Sequence, residues 1–237
     1  MNDKCAVLLI EAPETEKMPP ELKDSFGIER SVHIYADLLH GVYKTAKSLE
    51  SVSMVLSYAS SMKHPNLTWL DADDPGFLEV KGGHAPERIK NAMLWAFNAG
   101  AQKAVFLSNF SPAVKREWLE EAFEIISDKT VVVGPNPGCR LYLLGVSRNN
   151  FKILENASSS IPERFAEEVM ENAKKFKVMV HPLPETYIVK DEETLRIWME
   201  TKEHGLSLFT KESRIMHFGN EDKKTHRKTH KNNHGER

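Results

Sequence analysis

The sequence predicts an α/β protein of three layers, α/β/α, built on a mostly parallel sheet. Short apolar runs bounded by Gly, Pro or Asp alternate with longer segments whose apolar residues recur at helical spacing. Alternation of this kind favours parallel strands with helices on both faces. Of the 237 residues, 41% are hydrophobic and 28% charged, which suits one domain with a sizeable core.

The first run, Cys5-Ala6-Val7-Leu8-Leu9-Ile10, is continuously apolar and reads as a buried parallel strand. Residues 11–26 hold three prolines and many charges, and read as a loop leaving the sheet edge. Residues 29–49 place Val32, Tyr35, Ala36, Leu39, Tyr43 and Ala46 on one helical stripe. Residues 52–59 form a second strand and residues 67–70 a third. The third ends in the acidic loop Asp71-Ala72-Asp73-Asp74-Pro75-Gly76. Clustered Asp before Pro-Gly is turn chemistry first, and a site for a divalent metal, Mg or Mn, second.

Gly82-Gly83-His84-Ala85-Pro86 starts a helix, with Pro86 in its first turn. Ile89, Ala92, Met93, Ala96 and Phe97 form its buried face, and Gly100 ends it. Residues 104–107 are the fourth strand. Ser108-Asn109-Phe110-Ser111-Pro112 then turns the chain into another helix, with Ser111 as N-cap and Val114, Trp118, Ala122 and Ile125 inward. Residues 130–133 are a β-branched strand. The run breaks at Gly134-Pro135-Asn136-Pro137-Gly138 and resumes as Leu141-Tyr142-Leu143-Leu144. Turns at strand ends leave backbone N–H groups free and are where α/β sheets place ligands, although most such loops only connect. Ser160-Ile161-Pro162-Glu163 has capping-box form and opens a helix through Phe165, Val169, Ala173 and Phe176. Residues 178–180 and 187–189 are further strands, and residues 191–202 a last helix burying Leu195 and Trp198.

Residues 1–216 are expected to form one domain and residues 217–237 a basic, His-rich, disordered tail. The tail carries about +3, leaving about −5 for the rest, by a count of its charged residues. Its His226, His230 and His234 would share a helical face, but nothing orders that segment for a metal. A net charge of −2 calls for neither specific nucleic-acid binding nor an anionic membrane. No run approaches the roughly 18 apolar residues of a membrane span, and residues 5–10 are too short for a signal sequence. Two cysteines, Cys5 and Cys139, make no disulfide framework. A cytoplasmic protein is expected. No Gly-x-Gly-x-x-Gly follows Ile10 and no Gly-x-Ser-x-Gly occurs, so a dinucleotide oxidoreductase and a serine hydrolase are unsupported.

Four stretches together resemble a known family. They are Ala12-Pro13 after the first strand, Gly83-His84-Ala85-Pro86-Glu87-Arg88, the strand ending Ser108-Asn109-Phe110-Ser111-Pro112, and Gly134-Pro135 followed by Leu141-Tyr142-Leu143-Leu144-Gly145. In order and spacing the chain resembles the bacterial glycosyltransferase-like proteins of the nucleotide-diphospho-sugar transferase fold, over about residues 5–198. The resemblance implies a nucleotide or nucleotide-sugar ligand, contacted by Gly83, Arg88, Ser108, Asn109, Gly134, Asn136 and Arg140. It also shows departures. Phe110 and Gly138 stand where the pattern has metal-binding aspartates, and Cys139-Arg140 where it has two glycines. Ile188-Val189-Lys190 replaces an Asp-Val-Asp, His84 an Asp, and Glu21 a cation that suits phosphates. Phe110 cannot ligate a metal, Lys190 repels one, and Glu21 repels a phosphate.

Two functions are therefore carried forward. One is a glycosyl or nucleotidyl transferase with a degenerate metal site, in which Lys17, Lys23, Arg88 or Arg140 supplies the charge, or in which Asp71, Asp73 or Asp74 reaches the cleft and holds a metal. The other is a non-catalytic member, a pseudoenzyme that binds a nucleotide or a partner protein through the same cleft. Arg140 has a plainer reading as a surface arginine.

Overall fold

Residue alternation in the first strand sets the layers. The computed structural model describes residues 1–10, 20–59, 67, 70–72, 77–138 and 140–203. Strand β1 (Lys4–Ile10) sends Ala6, Leu8 and Ile10 to one face and Cys5 and Val7 to the other, all at most 2% exposed. Helices α1 (Pro20–Phe26) and α2 (Ile28–Lys47) follow, then β2 (Val52–Ala59), β3 (Leu78–Val80), α3 (Ala85–Asn98), β4 (Lys103–Leu107) and α4 (Arg116–Ile125). The second half runs β5 (Thr130–Asn136), β6 (Arg140–Ser147), the short α5 (Lys152–Glu155), α6 (Pro162–Lys175), β7 (Met179–Pro182) and α7 (Glu192–Glu203).

Among the described residues seven strands form one sheet, in the order β3-β2-β1-β4-β6-β5-β7. Only β6 runs against its neighbours, pairing antiparallel with β4 and β5. The other pairings are parallel. One face of the sheet packs with α2, α4 and α7 through Leu38, Leu119 and Trp198. The other packs with α3, α5 and α6 through Met93, Leu154 and Val169. The architecture is thus the expected α/β/α sandwich. No described helix is long and apolar enough to cross a membrane.

The topology creates a crevice. From β1 the chain crosses outward to β2 and β3, then α3 returns it to β4 on the other side of β1. Strand order reverses between β1 and β4, and the carboxyl ends of such a pair leave a natural ligand cleft.

Several elements differ from the sequence expectation, each for a local reason. Residues 20–26, expected in a loop, form α1, whose buried Leu22 (1% exposed) gives it an anchor in the core. Leu67 and Leu70 are buried but form a turn, Leu70 N–H to Leu67 O at 2.8 Å, so the third strand is residues 78–80 instead. On α2 the inward stripe runs through Ile34, Leu38 and Val42 rather than Val32 and Ala36. Strand β5 does not break at Gly134 but continues to Asn136 past a bulge at Gly134/Pro135. Ser111 does not cap α4. Its hydroxyl is bonded to Asn136, and the helix starts at Arg116. Helix α6 starts at Pro162 with Ile161 as N-cap, so no capping box forms at Ser160. Residues 187–189 make no strand; Val189 N–H bonds once to Phe110 O, at 3.1 Å. Residues 73–76, Lys17, Cys139 and residues 204–237, which include the expected tail at 217–237, lie outside the described residues.

Candidate functional site

The ends of β1 and β4 and the start of β6 meet at one edge of the sheet and enclose a cavity of about 340 Å³. Leu9 comes from β1, Phe106 from β4, and Leu141 and Leu144 from β6. Helix α3 presents Ala85, Pro86 and Ile89, and α6 presents Pro162 and Phe165. Leu22, Tyr35 and Phe110 close the opposite wall, where the Tyr35 and Phe110 rings lie 5.9 Å apart. The stretch carrying Ile188, Val189 and Lys190 completes the rim, tied to Phe110 by the backbone bond described above. Most of the lining is apolar.

Polar groups occur in two sets. Ser108, Asn109 and Asn136 lie on the strand ends. Asn136 is 4% exposed, and its carboxamide exchanges hydrogen bonds with the Ser111 hydroxyl, at 2.9 and 3.2 Å. The Ser108 hydroxyl accepts from Phe110 N–H at 3.3 Å. Asn109 is 5% exposed, and its Nδ2 is buried without a hydrogen-bond partner. Leaving such a donor unpaired carries a desolvation penalty of roughly 1–3 kcal/mol.

The second set sits at the mouth. Arg140, the first residue of β6, donates through Nε to Glu163 of α6 and through Nη2 to Glu21 of α1, the latter at 3.1 Å. The Glu163 bond is the main cause holding the Arg140 guanidinium above its ordinary pKa, and the Glu21 bond adds to it. The same Arg140 bond holds the Glu163 carboxyl below the ordinary carboxylate range. Glu21 is also held low, first by its own backbone N–H at the start of α1 and then by Arg140. All three are therefore charged at neutral pH. Glu21, Arg140 and Lys190 line the cavity, and Glu163 pairs with Arg140 from outside the lining.

Of the residues the sequence singles out, Ser108, Asn109, Asn136 and Arg140 line this cavity. Gly83, Arg88 and Gly134 do not. Gly83 donates its N–H to Glu87 at 2.8 Å before α3. Arg88 is buried behind Gly82, where an added Cβ would lie 2.8 Å from Arg88 Cγ. Gly134 makes room for the Tyr142 ring. Lys23 also stays outside the lining. Asp71 is bound by the Tyr43 hydroxyl at 2.6 Å and by Lys47, away from the cavity. Among the described residues no group of three or more His, Cys, Asp or Glu could hold a metal. With Phe110 and Lys190 on the wall, the described residues of the cavity do not fit a divalent metal. Glu163 is the charged group that sequence reasoning missed. Only its place in the first turn of a helix hinted at a free carboxylate there.

Comparison with solved structures places the chain in the nucleotide-diphospho-sugar transferase fold. A Desulfovibrio desulfuricans G20 protein provisionally named a nucleotide-diphospho-sugar transferase superposes with TM-score 0.71 at 18% identity, covering 86% of this chain and 89% of its own. A cytidylyltransferase of Leptospira borgpetersenii gives TM-score 0.57 at 16% identity, over 86% and 88% of the two chains. A CMP:2-keto-3-deoxy-manno-octonic acid synthetase complexed with CTP gives 0.52 at 12%, over 86% and 100%. By sequence the chain belongs to the family described as uncharacterized protein conserved in bacteria (DUF2064), whose profile matches residues 42–160. No curated protein matches it.

Proposed function

We propose that this chain is a transferase-like, small-molecule-binding member of its fold, which keeps the ligand cleft but not the metal and diphosphate chemistry. One observation carries the reading. Glu21, Phe110 and Lys190, which stand where the resembled pattern has a cation and two aspartates, all line the same cavity. A diphosphate entering it would meet Glu21 and find Arg140 already paired with Glu21 and Glu163. Ser108, Asn109, Asn136 and Arg140 are the proposed ligand contacts. A cytoplasmic location goes with this reading, supported by the buried free thiol of Cys5.

The test is a thermal-shift panel of nucleoside diphosphates, triphosphates and nucleotide sugars, each with and without Mg²⁺ or Mn²⁺. A ligand that binds the native state alone must raise Tm. The expected result is no nucleotide shift that grows with metal. A metal-dependent shift would restore the transferase reading. A metal-independent shift lost in Arg140→Ala would show that Arg140 exchanges a glutamate for phosphate, and would overturn the loss of diphosphate binding.

A further inference from the structure

Resting on the reading above, we propose that the cavity takes a monocarboxylate with a largely apolar body, whose charge pairs with Lys190 while the body fills the interior.

Three observations converge on this class. The walls are hydrocarbon and aromatic, as Leu9, Phe106, Leu144 and Phe165 illustrate, and a volume of about 340 Å³ fits a body of one to two fused rings. Lys190 supplies the charge. It lines the cavity, it stands where the resembled pattern has an aspartate, and it makes no ion pair among the described residues. Its backbone is held on the rim, since Val189 N–H bonds to Phe110 O and Lys190 N–H to Thr194 Oγ1 at 3.0 Å. Asp191 and Glu192, which follow it, are engaged elsewhere. Asp191 accepts from Thr194 N–H at 2.9 Å and from the Thr194 hydroxyl at 2.7 Å, and Glu192 accepts from Arg30 Nη2 at 3.1 Å. The Thr194 bonds, ahead of Lys190, hold the Asp191 carboxyl below its ordinary range. Finally, the other charges of the lining limit the ligand to a single negative charge. Arg140 is shared between Glu21 and Glu163, and Glu21 repels a second charge brought into the same cavity. Apolar walls with one available cation therefore favour an amphipathic monoanion over a neutral molecule of the same shape and over a diphosphate.

The probe is a matched pair, naphthylacetate and its uncharged amide, naphthylacetamide. Each is titrated into the full chain by calorimetry at neutral pH and low salt. Expected is saturable binding of the acid at one site per chain, about fivefold tighter than the amide, the upper end for an ion pair that water reaches. Lys190→Gln should weaken the acid to the level of the amide and leave the amide unchanged. Added salt should narrow the same preference in the wild type. Ala85→Trp, in the first turn of α3 on the cavity wall, should abolish binding of both compounds while circular dichroism stays native. Trp95→Ser removes an exposed aromatic of the same helix that lies outside the lining, and should change neither affinity.

Absence of saturable acid binding to the wild type overturns the proposal, as does equal affinity for the acid and the amide. A preference that survives Lys190→Gln overturns the pairing with Lys190. Binding that survives Ala85→Trp, or falls with Trp95→Ser, overturns the proposal because the probe then sits elsewhere. A thermal-shift measurement with UDP-glucose and Mg²⁺ alongside separates the two levels. A metal-dependent shift there refutes the loss of diphosphate chemistry, whereas an inert acid with no nucleotide shift refutes the ligand class alone.

Discussion

Gly134→Ala should destabilise the protein without touching the cavity. An alanine Cβ at this position would lie 2.6 Å from Tyr142 Cε2 and 2.7 Å from Cε1, against an ordinary carbon contact of about 3.5–4.0 Å. The ring would have to retreat by about 1 Å. It has nowhere to go: Tyr142 is 0% exposed, its hydroxyl donates to Pro184 O at 3.0 Å, and Trp118 lies 6.0 Å from its centroid. Overpacking of this kind costs about 1–3 kcal/mol, and a lost buried hydrogen bond adds about 1 kcal/mol or more. The expected loss is about 3 kcal/mol, read by urea denaturation followed through tryptophan fluorescence. In a Tyr142→Leu background the same substitution should cost far less, because the clash is with the ring. A loss below about 0.5 kcal/mol, or an equal loss in both backgrounds, would refute this account of Gly134 as a packing residue.

Two further expectations concern charge. Arg140→Ala should cost less than about 1 kcal/mol at neutral pH, because the Arg140, Glu21 and Glu163 side chains are 39%, 43% and 33% exposed. Glu163 titrates below its ordinary value of 4.5 chiefly through Arg140, so its contribution is present above that value and is lost as pH falls through the lowered one. Wild type and Arg140→Ala should therefore converge in stability in acid, and a gap that persists at pH 2 would contradict the ion pair. Cys5 is 0% exposed and burial pushes its thiol up to about 12, so iodoacetamide at pH 8 should label it only after unfolding, as peptide mass spectrometry can follow.

Periodicity made much of the fold legible in the sequence, although on α2 it misplaced Val32 and Ala36. The buried face of α3, Ile89, Ala92, Met93, Ala96 and Phe97, is the one its spacing predicts. So are the apolar strands β1 and β4 at the heart of the sheet. Where a polar group chooses between local and distant partners, sequence misleads. Ser111 looks like a cap because it precedes Pro112, yet Asn136, 25 residues on, takes its hydroxyl. Glu163 looks like the closing residue of a capping box, yet Arg140 holds its carboxylate. Short local motifs assume a near partner, and tertiary contacts override them. Arg140 itself was visible, but its pairing with Glu21 spans 119 residues and has no signature along the chain.

The departures from the resembled pattern gain weight from their contacts with one another. If Glu21, Phe110, Arg140 and Lys190 were products of misalignment, they would be scattered over the surface. Instead all four line one cavity, although Gly138 and His84, two further departures, stand outside its lining. Glu21, where a cation is expected, lies 3.1 Å from Arg140, where a glycine is expected. Neither change is costly alone, since both side chains are about two-fifths exposed, but each supplies the other with a partner. Made together, they satisfy each other and leave Lys190 as the remaining cation of the lining. Phe110 completes the change by placing an aromatic ring against Tyr35 where a metal ligand is expected. Glu21, Phe110, Arg140 and Lys190 thus give the cavity a charge pattern and an aromatic wall that differ together, at one place, from the resembled pattern.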